Sequence, residues 1–329
     1  MSSKRLDTLF CGQAGVRYPV VQAPMGNAAS PELAAAVSNA GGLGMLALSW
    51  TELEDMRTRV RDTKALTGSP FGVNVVLEWQ QQERIEICLD EGVRIISTFW
   101  GDPKPYVELI HEAGALHIHT VGSAEDARRC VDAGVDMVIA QGWEAGGHVW
   151  GGVSTLVLVP AVVDAVAPVP VLAAGGITDG RGLAAVLALG ASAAVMGTRF
   201  LMSKEANVRD DVQDSLIAAS ETDTALGPIF DGGWPNAKHR VIRNDTVRRW
   251  EAAGRPSKPN RPGEGDIVAH DPDGVDIMRY DDIDVVPGLN GGIDALPLYG
   301  GQSAGLIHSV LSAGDIIRKT IAEAGTILA

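Results

Sequence analysis

At 329 residues, with 39 glycines and 46% hydrophobic residues, the chain is long enough to bury a large core with many tight turns. Its formal charge of −14, without a basic block, argues against nucleic acid or an anionic membrane surface as a partner. Cys11, Cys88 and Cys130 are odd in number, far apart and without C-x-x-C spacing, which argues against a disulfide framework or a metal site and fits a reducing cytoplasm.

The stretch from Met1 to Arg5 is basic but has no apolar core or cleavage site of a signal peptide. No run approaches the roughly 18 uninterrupted apolar residues of a membrane span. A soluble, cytoplasmic protein is therefore expected. Beyond that point, short apolar runs alternate with amphipathic stretches. Strands are expected at 19–23, 44–48, 71–75, 93–97, 116–120, 137–140, 170–174 and 193–196. Helices are expected at 31–40, 51–66, 80–91, 105–113, 123–133, 157–166 and 179–189, the first opened by Ser30 as N-cap with Pro31 behind it. Strands about 25 residues apart, nearly all followed at once by a helix, indicate parallel pairing with right-handed crossovers. The fold class is α/β, a (β/α)8 TIM barrel. The rival doubly wound dinucleotide fold needs G-x-G-x-x-G after its first strand. That strand ends in Pro24-Met25-Gly26-Asn27, and Gly41-Gly-Leu-Gly44 precedes the second strand instead.

After Phe200 the pattern changes. Residues 202–226 read as helical, and 227–297 are rich in Gly, Pro and Asp, including Arg255-Pro-Ser-Lys-Pro-Asn-Arg-Pro-Gly263. A loop of that length is improbable inside a compact domain, so an inserted cap or substrate subdomain is expected at 204–298. The barrel would then comprise 1–203, completed by 299–329 with a last helix at 302–322. An insertion after strand eight emerges on the C-terminal face of a barrel, where active sites sit.

The chemistry of the strand ends converges on one loop, Ala140-Gln-Gly-Trp-Glu-Ala-Gly-Gly-His148, which follows a short apolar strand. Either Gly146 and Gly147 make a tight turn with His148 on the surface, or the loop presents His148 as a reactive group beside a cofactor. Ala173-Ala-Gly-Gly-Ile-Thr-Asp-Gly180 and Val195-Met-Gly-Thr-Arg-Phe200 end strands seven and eight, the usual phosphate corner of this fold. Their glycines suit a phosphorylated cofactor or simply permit tight turns. Asn74, inside an apolar strand, needs a partner, either a flavin edge or a core group, and Gln141 invites the same pair of readings. His117 and His119 are structural by default. Trp79, Trp100, Trp143, Trp150 and Trp234 are candidates for a cavity wall or for plain packing.

The blocks Gln22-Ala-Pro-Met25, Phe71-Gly-Val-Asn74, the His148 loop, Ala173-Ala-Gly-Gly-Ile177 with Asp179-Gly-Arg-Gly182, and Met196-Gly-Thr-Arg-Phe200 together resemble the nitronate monooxygenase family, and the resemblance resumes at His239-Arg-Val-Ile-Arg-Asn244 and Gly300-Gly-Gln-Ser-Ala-Gly305. The resemblance implies an FMN-dependent enzyme that oxidises alkyl nitronates, and by extension nitroalkanes, with O2 to carbonyl compounds and nitrite. It places His148 as the catalytic residue, Pro24, Met25 and Gly26 beside the isoalloxazine, and Asn74 and Gln141 in hydrogen bonds to the flavin. Gly146, Gly176, Gly197 and Thr198 fall near the phosphate and ribityl chain, with Gly147, Gly175 and Met196 beside them, and Gln302 falls on a segment close to the flavin. It implies no metal, a nitronate and O2 as small-molecule partners, and room for a homodimer. Flavin-dependent enoyl reductases and quinone reductases share much the same blocks, so NAD(P)H-dependent reduction of an enoyl thioester or quinone is the alternative, and a non-catalytic flavin- or phosphate-binding barrel is a further one. Many members carry Arg-Gly after the histidine where this chain has Val149-Trp-Gly-Gly152. Glu144 should either point away from a bound anion or raise the pKa of His148.

Overall fold

The structure, a computed structural model, describes residues 6–329. Eight parallel strands form its centre: β1 Val20–Gln22, β2 Gly44–Ala47, β3 Phe71–Val76, β4 Ile95–Phe99, β5 Leu116–Val121, β6 Met137–Gln141, β7 Val171–Ala174 and β8 Ala193–Met196. Each pairs with its neighbour in sequence, and β1 pairs with β8 in the register Val20 to Ala194. A parallel bridge between Val21 and Leu43 joins β1 to the approach of β2 and closes the ring. The (β/α)8 barrel read from the alternation is the observed architecture.

The outer layer consists of α1 Pro31–Asn39, α2 Leu53–Leu66, α3 Gln82–Asp90, α4 Val107–Glu112, α5 Ala124–Asp132, α6 Thr155–Val166, α7 Gly180–Ala188 and α8 Ala313–Ile327. Their starts follow local chemistry. Ser30 accepts a hydrogen bond from the Leu33 N–H with Pro31 in the first turn, Ser123 from Asp126, Asp179 from Arg181 and Gly182, and Ser312 from Asp315. The last helix packs between α7 and α1, the place of the eighth helix. It begins at Ala313, later than expected, because Gln302–Leu306 forms a separate 3-10 turn.

Strand alternation divides the barrel's apolar residues into two sets. One faces inward, with Val21, Met45, Ile118, Met137, Leu172 and Val195 in a single cluster. The other, including Val20, Val138, Ala173 and Met196, packs under α1, α6, α7 and α8. A short helix, Leu9–Ala14, which the apolar periodicity did not reveal, places Phe10, Cys11 and Ala14 in the inner cluster. Thr8 caps it and donates its hydroxyl to the Ser192 carbonyl ahead of β8 at 2.6 Å.

The stretch expected as one helix over 202–226 is broken. It holds a helix at Asp210–Ala218 and then a strand at Thr224–Gly227, drawn into extended form by antiparallel pairing with His239–Ile242. His239–Ile242 pairs on its other side with Gly147–His148, so a three-stranded sheet links the loop after β6 to the later segment. Further on lie a helix at Asp245–Ala252, capped by Asn244, and a second small sheet formed by Ile267–His270, Asp276–Met278 and Asn290–Gly291. No helix among the described residues is long and apolar enough to cross a membrane.

Candidate active site

The ends of the strands open on a cavity of about 410 Å³, within the range of small-molecule sites. Pro24, Met25, Gly26, Asn74, Gln141, Gly146, Gly147, His148, Gly175, Gly176, Gly197 and Thr198 all line it. Two expected residues do not. Met196 is fully buried on the outer side of β8, because alternation turns Val195 inward and Met196 toward the helices. Gln302 lies between two lining residues, Gly301 and Ser303, and its own N–H donates to the Glu144 carbonyl at 3.0 Å.

The loop that carries His148 is held from three sides. The Gln141 amide donates to the His148 carbonyl at 2.9 Å and accepts from the Trp150 N–H at 3.0 Å, so the side chain expected to meet a flavin spans the histidine loop. Gly147 has φ +70, a left-handed conformation that favours glycine. A Cβ on Gly146 would stand 2.4 Å from the Gly301 nitrogen, so only glycine permits the close approach of the 300–301 backbone. The antiparallel register of His148 with His239 completes the clamp.

The His148 ring stacks on Trp234 at 4.1 Å between centroids and 26° between planes. Its enclosed Nε2 has no aligned hydrogen-bond partner and lies 3.3 Å from Asp282 Oδ2. The other carboxyl oxygen of Asp282 accepts a hydrogen bond from the Tyr299 hydroxyl. Burial, with a smaller contribution from His239, pushes His148 down to about 3, so the imidazole is neutral at physiological pH. Burial pushes Asp282 up to about 7, opposed by the Tyr299 hydrogen bond and helped by Asp284. His239 accepts from the Phe230 N–H at Nε2 (2.9 Å) and meets the Ala237 carbonyl through Nδ1 (3.1 Å), which fixes a neutral tautomer. Burial pushes it down to about 4.

Glu144 is committed elsewhere. Its carboxylate accepts from the Thr155 N–H at 3.0 and 3.1 Å and from the Thr155 hydroxyl at 3.0 Å, serving the start of α6 where Ser154 makes no side-chain cap bond. Asn74 donates to the Ser97 hydroxyl at 3.2 Å, and its Oδ1 has no protein donor among the described residues. Gly175 and Gly176 have φ +101 and +74. Among the described residues no protein acceptor meets the N–H of Gly176, Gly197 or Thr198, whereas the Thr198 hydroxyl accepts from the Gly301 N–H at 3.0 Å. Asp284 accepts from the Asn27 N–H at 2.7 Å, and its carboxylate fills the space where a Gly26 side chain would stand.

Outside the cavity, His117 and His119 share the Thr98 hydroxyl at 2.8 and 2.7 Å and are structural, as expected. Of the tryptophans considered beforehand, Trp234 lines the cavity, and Trp79 and Trp100 pack against it. Trp50, Asp282 and Tyr299 were not anticipated. Asp282 sits in the acidic run Tyr280-Asp-Asp-Ile-Asp284, which by composition is an ordinary loop.

The nitronate monooxygenase family profile matches residues 8–82 and 77–323. The chain is 42% identical over 253 residues, 76% of its own length and 69% of the relative's, to a (3aS,4S,5R,7aS)-5-hydroxy-7a-methyl-1-oxo-octahydro-1H-indene-4-carboxyl-CoA dehydrogenase of Rhodococcus jostii. It is 33% identical over 292 residues, 74% of the chain and 81% of the relative, to a probable nitronate monooxygenase of Staphylococcus saprophyticus. Among solved structures it matches FabK from Thermotoga maritima at TM-score 0.83 and 32% identity, covering 98% of this chain and 97% of that one. It matches a nitroalkane oxidase from Streptomyces ansochromogenes at TM-score 0.79 and 29% identity, covering 95% and 98%. The chain belongs to the nitronate monooxygenase family and is an oxidoreductase.

Proposed function

We propose that the protein is an FMN-dependent oxidoreductase that oxidises alkyl nitronates with O2 to carbonyl compounds and nitrite. The observation that carries this reading is one cavity holding an unprotonated, stacked and clamped His148 together with the glycine-lined ends of β7 and β8. The residues fit a phosphorylated flavin. The N–H groups of Gly176, Gly197 and Thr198 are available to a phosphate, and Asn74 Oδ1 to a ring or ribityl donor. FMN, when bound, takes electrons from the substrate and passes them to O2. The protein binds, orients and moves a proton. A neutral imidazole accepts a proton from a nitroalkane or donates one N–H to a nitronate oxygen. Residues 204–298 are the cap: Trp234 and Asp282 from this segment close the cavity on the side of His148. A cytoplasmic location accompanies this reading.

A second reading, oxidoreduction of an acyl thioester with a nicotinamide, is favoured by a specific observation. Among the described residues no Lys or Arg lines the cavity, so a nitronate anion meets no fixed cation there, whereas the uncharged acyl part of a thioester needs none. The two relatives named as 5-hydroxy-7a-methyl-1-oxo-octahydro-1H-indene-4-carboxyl-CoA dehydrogenases, at 42% and 40% identity, support the same reading. Anaerobic mixing of the flavin-loaded protein with NADH, NADPH and propionate 3-nitronate in separate cuvettes decides between them. Loss of oxidised-flavin absorbance with the nitronate alone is expected. Bleaching by a nicotinamide and not by the nitronate would replace the first reading with the second.

A further inference from the structure

We infer that Asp282, held by Tyr299, is the proton partner of His148: its carboxyl selects which imidazole nitrogen carries hydrogen and so whether His148 presents a donor or an acceptor to the substrate. The inference rests on the reading of His148 as the group that meets the substrate. Asp282 acts through the ring and is a positioning residue.

The geometry leaves Nε2 little choice. It is enclosed, and the Asp282 Oδ2 atom 3.3 Å away is the polar group within reach. The other rings against His148 are Trp234, Trp100, His239 and Tyr299. Both nitrogens of His239 are engaged by backbone, and the Tyr299 hydroxyl is given to Asp282 Oδ1. That bond turns the second carboxyl oxygen toward His148. Nδ1 of His148 has no partner among the described residues, and the ring lines the cavity, so Nδ1 is the nitrogen left for a ligand.

The charges around the pair make the carboxyl the group that titrates. Among the described residues the titratable groups facing it are His148, Tyr299 and Asp284, and the Arg59 guanidinium acts on Asp284. With the imidazole pushed down to about 3 and the carboxyl up to about 7, the ring stays neutral while Asp282 changes state around neutrality. Below that midpoint the protonated carboxyl donates to Nε2, and the single ring hydrogen sits on Nδ1 as a donor to the cavity. Above it the pair has released one proton. The carboxylate accepts from Nε2–H, and Nδ1 is bare and able to take a proton from a substrate, the imidazolium so formed being held by the carboxylate.

The test uses the purified, flavin-loaded protein labelled with 15N-histidine and needs no substrate. The ring nitrogens of His148, assigned by their loss in His148→Asn, are followed from about pH 5 to about pH 9, spanning the ordinary titration range of histidine. The hydrogen is expected on Nδ1 at the acid end and on Nε2 at the alkaline end, with a midpoint near 7. Asp282→Asn, whose amide donates to Nε2 at every pH, should hold the hydrogen on Nδ1 throughout. Tyr299→Phe removes a bond that stabilises the carboxylate and should move the midpoint upward. One tautomer across the range in the wild type, or a midpoint unchanged in Tyr299→Phe or preserved in Asp282→Asn, overturns the inference. Should Asp282→Asn not fold, Tyr299→Phe decides alone. In turnover of a neutral nitroalkane, which needs a bare Nδ1, the same midpoint should appear as an acid limb of kcat/KM that Asp282→Asn loses. Because the nitrogen spectra involve no substrate, their failure is distinct from a failure of the nitronate assignment.

Discussion

The two walls of the cavity are built differently. The barrel wall consists of strand ends, glycines and two amides, and each of its groups is fixed by its own strand: Gly176 follows β7, Gly197 follows β8, and Asn74 lies within β3. The opposite wall, Trp234, Asp282 and Tyr299, comes from three later segments that converge around the His148 ring. The first wall suits recognition of a part common to many substrates, a cofactor. The second adjusts one imidazole. The comparison teaches that binding and reactivity here rest on separate parts of the chain and should be separable by substitution.

The largest effect should come from His148, where the walls meet. His148→Asn is expected to retain flavin, because the proposed phosphate donors are the N–H groups of Gly176, Gly197 and Thr198, and to lower turnover about 10²–10⁴-fold, the range for loss of a positioned acid–base group. The loss should be steeper with a neutral nitroalkane than with the preformed nitronate. Near-normal turnover of both forms with flavin in place would reduce His148 to a loop residue.

On the barrel wall, Gly197→Ala should do the reverse. Gly197 has φ −94, which any residue adopts, and an added Cβ would meet only Ala23 Cβ at 3.6 Å and Met25 Sδ at 4.0 Å, ordinary contacts. Folding stability should therefore change by less than about 0.5 kcal/mol. FMN affinity should fall about tenfold or more, since a methyl crowding a fitted ligand costs about 1–3 kcal/mol. Titration of flavin-free protein with FMN measures it, with Trp234→Phe on the opposite wall as the variant whose FMN affinity should hold. Equal affinities in the two variants would remove the distinction between the walls.

The same contrast explains what was legible in the sequence. Strand and helix periods repeat within about ten residues, so the barrel could be read, with β1 and β5 within two residues of expectation at either end. The glycine wall was legible because each motif is contiguous. Strand parity, which turns the Met196 side chain away from the cavity, and the placing of Gln302 between two lining neighbours were not legible from the motifs. The pairing of Gly147–His148 with a strand some ninety residues later has no local signal, and neither does Asp282, an acid among acids. The six-residue helix Leu9–Ala14 is too short to show a period.

Histidines buried in both regions predict a shared response to acid. His117 and His119 on the barrel, pushed by burial to about 3 and about 4, and His148 and His239 at the site, at about 3 and about 4, are all neutral in the fold. Folded pKa values below the ordinary 6.5 mean that the unfolded chain binds more protons as pH falls. Stability from these groups is complete above about 6.5 and is lost progressively toward 3, at up to about 1.4 kcal/mol per pH unit for each histidine. Asp282 has the opposite sign: with its pKa raised from 3.8 to about 7, its contribution weakens as pH rises through that window. Four histidines outweigh one carboxyl, so urea unfolding at about pH 5 should show lower stability than at about pH 7. Equal stabilities would mean that the rings are protonated, or exposed, in the fold.

The smallest effect should belong to Glu144, four residues from His148 in the chain and yet part of neither wall. Its carboxylate takes up the first N–H and the hydroxyl of Thr155, the work of a helix cap that Ser154 leaves undone. Glu144→Ala should thus cost about 1 kcal/mol of stability, as for loss of an N-cap with a favourable charge at a helix start, and lower Tm by about 2–4 °C. Glu144→Gln, which keeps an acceptor for Thr155, should recover much of that loss. Neither change should move the pH dependence of turnover or the ring tautomer of His148, because the carboxylate is engaged at α6. A shift of that midpoint in Glu144→Gln, with the fold intact, would instead couple Glu144 to the imidazole and place a charge from the barrel side among the groups that tune it.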